Sequence, residues 1–367
     1  MLKPIHPVPC SPALAACQRL MQALAIWLCD TACLPVNIDA ANCQTRMPSL
    51  IEGDWLWGLL QCTHDRRPLL DRARAIAELS EAGKRALLAW VQSVGKVASH
   101  FATPNPGLLP TAKPFGGDGW EAFKTLMLAF YDKGLHGIGL PYLPDGTPTN
   151  APTQWLGYHQ FREAFRQLHR LNPDPNARDV CVLCGGPLTE AAVDHWVRKA
   201  AFPLLAVCAD NLLPICGECN SPSNKGAKDV HSGGSFVNWF HPYLRPGNAS
   251  LQISYALPSM VVTCAASTAT DQAKVDKLDG LLNLTKRWTI QFKAEYARQQ
   301  AVLLRRETRR VQRGEARHTQ AEVEAHVQQL HDDLLPSEPH YEIHRVLVHA
   351  MAEKARMAAW HAELGMA

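Results

Sequence analysis

The central part of this chain reads Cys181-Val-Leu-Cys184, then Asp194-His195, then Asn211-Leu-Leu-Pro-Ile-Cys216-Gly-Glu-Cys219-Asn220, and closes with Asn224-Lys225-Gly226. Two Cys-x-x-Cys pairs supply the four thiolates that suit a tetrahedral structural Zn²⁺. The stretch between the pairs, residues 185–215, is longer than in a plain zinc ribbon. We therefore expect additional structure to be folded between the two cysteine pairs.

That intervening stretch carries side chains suited to hydrolysis of a phosphodiester. Such hydrolysis needs an activated water, a cation on the phosphate and a group that holds the base in orientation. Neighbouring side chains at the end of a strand point to opposite faces, so Asp194 can hold a metal while His195 meets the water. We expect Asn220 to begin a helix, with its amide oxygen facing back towards Asp194.

In this order the residues resemble the zinc-bearing bacterial HNH endonucleases, which are ββα-metal nucleases. The resemblance also includes Lys199, Phe202-Pro203 and His241-Pro242-Tyr243. It covers roughly residues 180–246, under a fifth of the chain. It implies a mainly α protein with a small α+β insert, in which a ββα-metal nuclease unit with a Cys-x-x-Cys/Cys-x-x-Cys zinc site is flanked by helices.

The resemblance also implies a role for each motif residue. His195 would be the general base, Asp194 and Asn220 would hold a catalytic Mg²⁺ or Mn²⁺, and Asn211 would fix the orientation of His195 by hydrogen bonds across the hairpin loop. Lys225 would contact a phosphate. The structural zinc would be held by Cys181, Cys184, Cys216 and Cys219. The stretch from Cys219 to Gly226 is longer than in most of these proteins, so Asn224 is an alternative to Asn220 as the metal ligand, and Pro222 is expected to disturb the first helical turn.

Hydrophobic periodicity and turn residues divide the chain into four parts. Residues 1–133 form an N-terminal helical region, residues 134–173 a linker and a helix, and residues 174–246 the nuclease unit. Residues 247–367 hold one or two strands and then a helical arm, with breaks expected at Gly280, Gly314 and 336–339.

The chain is near neutral overall, with a net charge of +3 over 367 residues, and its basic residues are concentrated in the C-terminal arm. Residues 286–317 hold ten basic and three acidic residues, whereas residues 174–246 hold six basic and seven acidic ones. The basic helix suits a phosphate backbone, but the same charge also fits a solvated helix face or a face packed against an acidic partner. The nucleic-acid contacts expected on this arm are Arg305, Arg306, Arg309 and Arg310.

Twelve cysteines in a chain of this length indicate a reducing compartment, because disulfide scaffolds are short and dense in cysteine. We therefore expect a cytoplasmic protein in which eight of the cysteines serve packing. Residues 11–34 are rich in Ala and Leu but are interrupted by polar residues, so a buried amphipathic helix is expected there and no membrane segment.

Together these features predict a metal-dependent HNH endonuclease that acts on DNA. The resemblance further suggests a bacterial anti-phage or anti-plasmid effector with a regulatory protein partner. Two alternatives stay open: a zinc-stabilised adaptor that binds nucleic acid or protein without cutting it, and a nuclease directed at RNA.

Overall fold

The fold is mainly helical, as the sequence predicted. The computed structural model describes residues 2–101, 107–247, 250–256, 259–363 and 365. About 53% of the structure is helical, and the strands form small two-stranded sheets. In this described part of the chain, no helix is both long and apolar enough to cross a membrane.

The N-terminal region is a stack of short helices around a shared core. Serine and aspartate side chains begin several of them: Ser80, for example, accepts a hydrogen bond from the Gly83 N–H. A hairpin of two-residue strands, β1 (Thr63–His64) and β2 (Arg67–Pro68), was not predicted, because runs this short carry no alternation. The helices are α1 (Ser11–Leu28), α2 (Ala40–Arg46), α3 (Leu50–Gln61), α4 (Leu69–Ala77), α5 (Glu81–Val94) and α6 (Asp118–Ala129).

A π-helix spans Phe130–Ile138 directly after α6 and so continues past residue 134, where the sequence predicts the start of a linker. Its buried residues include Tyr131 and Gly134. A Cβ atom at Gly134 would lie 3.3 Å from the Trp55 ring, so the small residue allows this close packing. The helical conformation continues into this glycine-rich segment because tertiary packing outweighs the weak helix propensity of glycine.

The central region holds α7 (Tyr158–His169) and one antiparallel hairpin of β3 (Ala191–His195) and β4 (Leu212–Cys216). In the hairpin register, Ala191 faces Cys216 and His195 faces Leu212.

The helix expected at Asn220 is absent from the described residues 217–247. The chain instead turns back on itself, and the Lys225 N–H donates to the Cys219 carbonyl at 3.0 Å. Pro222 contributes to this outcome, since proline lacks an N–H and restricts the residue before it. The ββ part of the expected ββα unit is therefore present, but its helix is not.

The C-terminal region begins with β5 (Leu251–Ala256) paired with β6 (Val261–Ala266). The break expected at Gly280 lies instead at Asn283, whose φ of +51° separates α8 from α9. Breaks at Gly314 and at residues 336–339 agree with the sequence prediction. The helices are α8 (Gln272–Leu282), α9 (Leu284–Gln312), α10 (Gln320–Asp332), α11 (Tyr341–Met351) and α12 (Lys354–Glu363).

The hairpin region is enclosed by the helices on both sides of it in sequence. Trp90 of α5 stacks on Phe202 with ring centroids 6.2 Å apart. From the other side, the indole N–H of Trp288 in α9 donates to the Cys184 carbonyl at 3.0 Å. The N-terminal helices, the hairpin and the arm thus contribute to one continuous hydrophobic core.

Candidate metal centre and hydrolytic site

The four cysteines of the two Cys-x-x-Cys pairs meet at one buried point. Their sulfur atoms all lie within 4.8 Å of one another. The first pair lies in the turn before β3, and the second pair begins at Cys216, the last residue of β4. Ala191 and Cys216 are partners across the hairpin. The register of the sheet therefore places the second cysteine pair close to the first. The cluster consists of Cys181, Cys184, Cys216 and Cys219.

The geometry of this cluster fits a tetrahedral metal ion such as zinc. A tetrahedral site with Zn–S bonds of about 2.3 Å places its sulfurs about 3.8 Å apart. The Sγ atoms of Cys184 and Cys216 are 3.8 Å apart. Hydrogen bonds among the four thiols lower the pKa values of Cys184 and Cys216 and raise those of Cys181 and Cys219, so the four sulfurs titrate as one coupled group.

Hydrogen-bond donors surround the sulfur atoms. The Gly186 N–H donates to Cys184 Sγ and the Cys219 N–H donates to Cys216 Sγ, both at 3.4 Å. Arg287, in the first turn of α9, donates to Cys219 Sγ at 3.4 Å. Donors of this kind stabilise negative charge on metal-bound sulfur and orient the ligands. Cys208 is buried but lies outside the cluster, as expected for a packing thiol.

His195 is held as a neutral imidazole with a defined tautomer. Its Nε2 lies 2.9 Å from the Ala206 carbonyl oxygen. A carbonyl only accepts hydrogen bonds, so Nε2 carries the proton and Nδ1 is left with a free lone pair. Burial lowers the pKa of His195 to about 3, and nearby Lys199 contributes to the shift. Nδ1 is therefore the ring nitrogen that can act as a base.

Asn211 closes the loop that presents this carbonyl. Its Oδ1 accepts from the Val197 N–H at 2.7 Å, and its Nδ2 donates to the carbonyls of Val197 and Leu205 at 2.9 and 3.1 Å. Leu205 directly precedes Ala206. The bonds across the hairpin loop that the sequence suggested are thus present, and they reach His195 through the backbone.

Lys225 does not lie where a phosphate can reach it. The residue is fully buried, and its Nζ lies 3.1 Å from Asp194 Oδ2 and 3.2 Å from Oδ1. The same ammonium donates to the His195 carbonyl at 3.0 Å. The expected phosphate contact of Lys225 is therefore replaced by a buried ion pair inside the site.

This ion pair also decides whether the residues around Asp194 fit a divalent cation. Both carboxylate oxygens already face the Lys225 ammonium, and burial raises the pKa of the Asp194 carboxyl against the opposing effect of that lysine. Hard cations bind through several ionised or carbonyl oxygens. Asp194 Oδ2 has no hydrogen-bond partner in the described structure, although it lies 3.1 Å from the Lys225 ammonium, so a divalent cation here would compete with that lysine for the carboxylate.

The two asparagines proposed as its companion ligands have different surroundings. Asn224 is buried, and its side chain binds the Glu218 carbonyl at 2.8 Å and Asn283 at 2.8 Å. Through these hydrogen bonds Asn224 connects the turn that contains Glu218 and Cys219 to the start of α9. Asn220 is partly exposed, and its backbone N–H donates to the Cys216 carbonyl at 3.1 Å. Asn224 thus has a structural role. Of the two asparagines, Asn220 is the one whose side-chain amide is more available to a ligand.

The N-terminal region covers Asp194 and His195. The Tyr131 ring, from the π-helix, packs edge-on against the His195 ring at a centroid distance of 4.6 Å. The Lys199 ammonium lies 4.0 Å from the centre of the Tyr131 ring and 2.8 Å from Asp132 Oδ1. Asp194 and His195 are only 6% and 8% exposed as a result. Sequence patterns did not reveal the contributions of Tyr131 and the Ala206 carbonyl, because neither belongs to a motif.

The charge of the C-terminal arm is partly neutralised inside the molecule. Arg310 pairs with Glu322 at 2.7 Å, and Arg306 contacts the His326 ring at 3.1 Å. Arg305 and Arg309 are exposed on α9. Of the four arginines expected to contact nucleic acid, these two are the most available.

Comparison with known proteins supplies no identity: the chain matches no protein-family model, no curated protein and no solved structure.

Proposed function

We propose that this protein is an endonuclease of the HNH type that hydrolyses phosphodiester bonds in DNA, with zinc in the four-cysteine site stabilising the hairpin. The observation that carries the proposal is the state of His195: a neutral imidazole whose Nε2–H is bound to the Ala206 carbonyl and whose Nδ1 is a free base. The motif order of the chain supplies the second support.

In this proposal each residue of the hairpin has a separate task. His195 Nδ1 takes the proton from water as the water attacks the phosphorus atom, the bond from phosphorus to the 3′ oxygen breaks, and solvent protonates the departing 3′ oxygen. Asn211 holds the loop and thereby the imidazole. The buried Lys225 ammonium pairs with Asp194 and donates to the His195 carbonyl, and it thereby holds the end of the strand that carries both residues. Asp194 and Asn220 are the residues that would hold Mg²⁺ or Mn²⁺, and such a cation would supply charge stabilisation on the phosphate.

Access to His195 requires a local movement. The Tyr131 ring and the Lys199 side chain cover it, so a substrate phosphate reaches Nδ1 only when the π-helix shifts.

The first prediction concerns His195→Ala. A general base contributes about 10²- to 10⁴-fold to a rate, so we expect cleavage of plasmid DNA to fall at least about 10²-fold. Cleavage is measured with Mg²⁺, with Mn²⁺ and with EDTA, and single-stranded RNA is assayed in parallel. His159→Ala, an exposed histidine of α7, is the matched control and should cut like the wild type.

Zinc content and circular dichroism are measured on every variant so that misfolding is recognised. Wild-type protein that leaves DNA intact under all three conditions contradicts the DNA nuclease. Cutting of RNA alone would reassign the substrate.

Burial of Asp194 and His195 favours one other function, a zinc-stabilised adaptor that binds nucleic acid or protein without cutting it. In that case His195→Ala leaves every binding activity unchanged and no nuclease activity is found in either protein.

A further inference from the structure

The outer face of α9 carries a continuous ridge of apolar and small side chains. Successive members are separated by four and three residues in strict alternation. All seven are exposed, with Ile290, Leu304 and Val311 at 60%, 49% and 47%. We call this set the α9 ridge; its members are Ile290, Ala294, Ala297, Ala301, Leu304, Thr308 and Val311.

The α9 ridge lies on the side of the helix opposite to the one that packs into the protein. The inward side is formed by Trp288, Phe292, Tyr296 and Leu303, which are all buried. At about 1.5 Å per residue, the ridge extends for about 32 Å along the helix. A 4,3 spacing is the repeat with which one helix packs along another in a coiled coil. The helix therefore has one apolar side for its own core and a second that the described residues leave exposed.

Cations flank the α9 ridge on both sides. At 100° per residue, Lys286 and Lys293 fall on one flank, and Arg298, Arg305 and Arg309 fall on the other. The acidic residues of α9 do not balance them, because Glu295 pairs with Arg298 and Glu307 is buried. Within the described part of the chain, Lys286, Lys293, Arg305 and Arg309 belong to no ion pair.

We propose that the α9 ridge is the docking surface for an amphipathic helix of a partner protein whose flanking residues are acidic. The ridge supplies the apolar seam, and the flanking cations supply charge complementarity, which sets partner choice in helix pairs. This proposal does not depend on nuclease activity.

Charge and polarity disfavour two other occupants. A second copy of α9 would bring cations against cations, which is unfavourable in paired helices. A nucleic-acid backbone would satisfy the flanking cations but would cover Ile290, Leu304 and Val311 without giving them an apolar partner.

The test uses the full-length protein and two synthetic helical peptides of about three heptads. Both peptides carry Ile and Leu at the seam; one has Glu and the other has Lys at the flanking positions. Binding is measured by fluorescence anisotropy. We expect the wild type to bind the Glu peptide at least tenfold more tightly than the Lys peptide, and salt to weaken the interaction.

Two variants and one control variant locate the interaction. Leu304→Gln should weaken binding of the Glu peptide at least tenfold, whereas Leu335→Gln, at another leucine that is 51% exposed, should not change it. The triple change Lys293→Glu, Arg305→Glu and Arg309→Glu should transfer the preference to the Lys peptide. All these side chains are exposed, and circular dichroism checks that the fold is retained.

Three results would overturn the proposal. The first is absence of binding, or equal binding of the two peptides. The second is self-association in sedimentation experiments that Leu304→Gln abolishes, which would assign the ridge to a second copy. The third is a DNA duplex that competes with the Glu peptide and shows the same dependence on Leu304, which would assign it to nucleic acid.

Discussion

At the scale of single residues, the Lys225–Asp194 pair is the most consequential feature, because both charges are buried next to His195. Loss of one member of such a pair leaves an uncompensated charge and costs about 3–5 kcal/mol, while removal of both can be nearly neutral. The pair therefore stabilises the hairpin region only as long as both members are present.

We accordingly predict that Lys225→Met lowers the free energy of unfolding by about 3–5 kcal/mol and that adding Asp194→Asn restores part of that loss. Urea unfolding at pH 7 measures both effects. Lys228→Met, at an exposed lysine in the same turn, should have little effect. Equal losses for Lys225→Met and Lys228→Met, or a double variant worse than the single one, would show that the pair is not coupled.

At the scale of elements, the four-cysteine site joins the hairpin to the arm. Arg287 reaches Cys219 from the first turn of α9, and Trp288 reaches Cys184 from the same turn. A metal ion in this site therefore stabilises the contact between β4 and α9 as well as the hairpin itself.

We predict that Cys216→Ser loses the metal and lowers the unfolding free energy. A ligand present at about 1,000 times its Kd contributes about 4 kcal/mol, which sets the expected scale. Elemental analysis should find about one zinc per chain in the wild type and in Cys208→Ser, whose thiol lies outside the cluster. Hydrogen exchange should show the loss of protection first in β4 and in the first turns of α9. Zinc retained by Cys216→Ser would refute the assignment.

At the scale of the whole molecule, buried histidines determine the response to acid. Burial lowers the pKa values of His195 and His241 to about 3, below the ordinary value of 6.5. Between pH 3 and 6.5 the unfolded chain therefore binds more protons than the folded one. The stabilising contribution is fully present above pH 6.5 and is lost as the pH falls.

We predict that the unfolding free energy decreases below pH 6.5, with up to about 1.4 kcal/mol per pH unit from each of these histidines. Burial raises the pKa values of Asp194 and Asp210, which acts in the opposite direction and reduces the slope. Urea unfolding between pH 4.5 and 7.5 measures this dependence of the unfolding free energy on pH. His241→Asn should flatten the curve, whereas an unchanged slope in this variant would contradict the assignment.

The sequence by itself determined the helical class, a strand that ends at Asp194-His195 and the four-cysteine cluster. These features depend on local periodicity and on short spacings between residues, which can be recognised directly in the amino-acid sequence. It also indicated the hydrogen bonds of Asn211 across the loop, although the role of these bonds in catalysis stays a prediction.

Only the tertiary structure decided the surroundings of the site. It replaced the helix expected at Asn220 with turns, paired Lys225 with Asp194 and placed Tyr131 over His195. These outcomes depend on contacts between residues that are distant in sequence. Burial and ion pairing are properties of the packed chain, and a local pattern does not encode which charge will meet which partner.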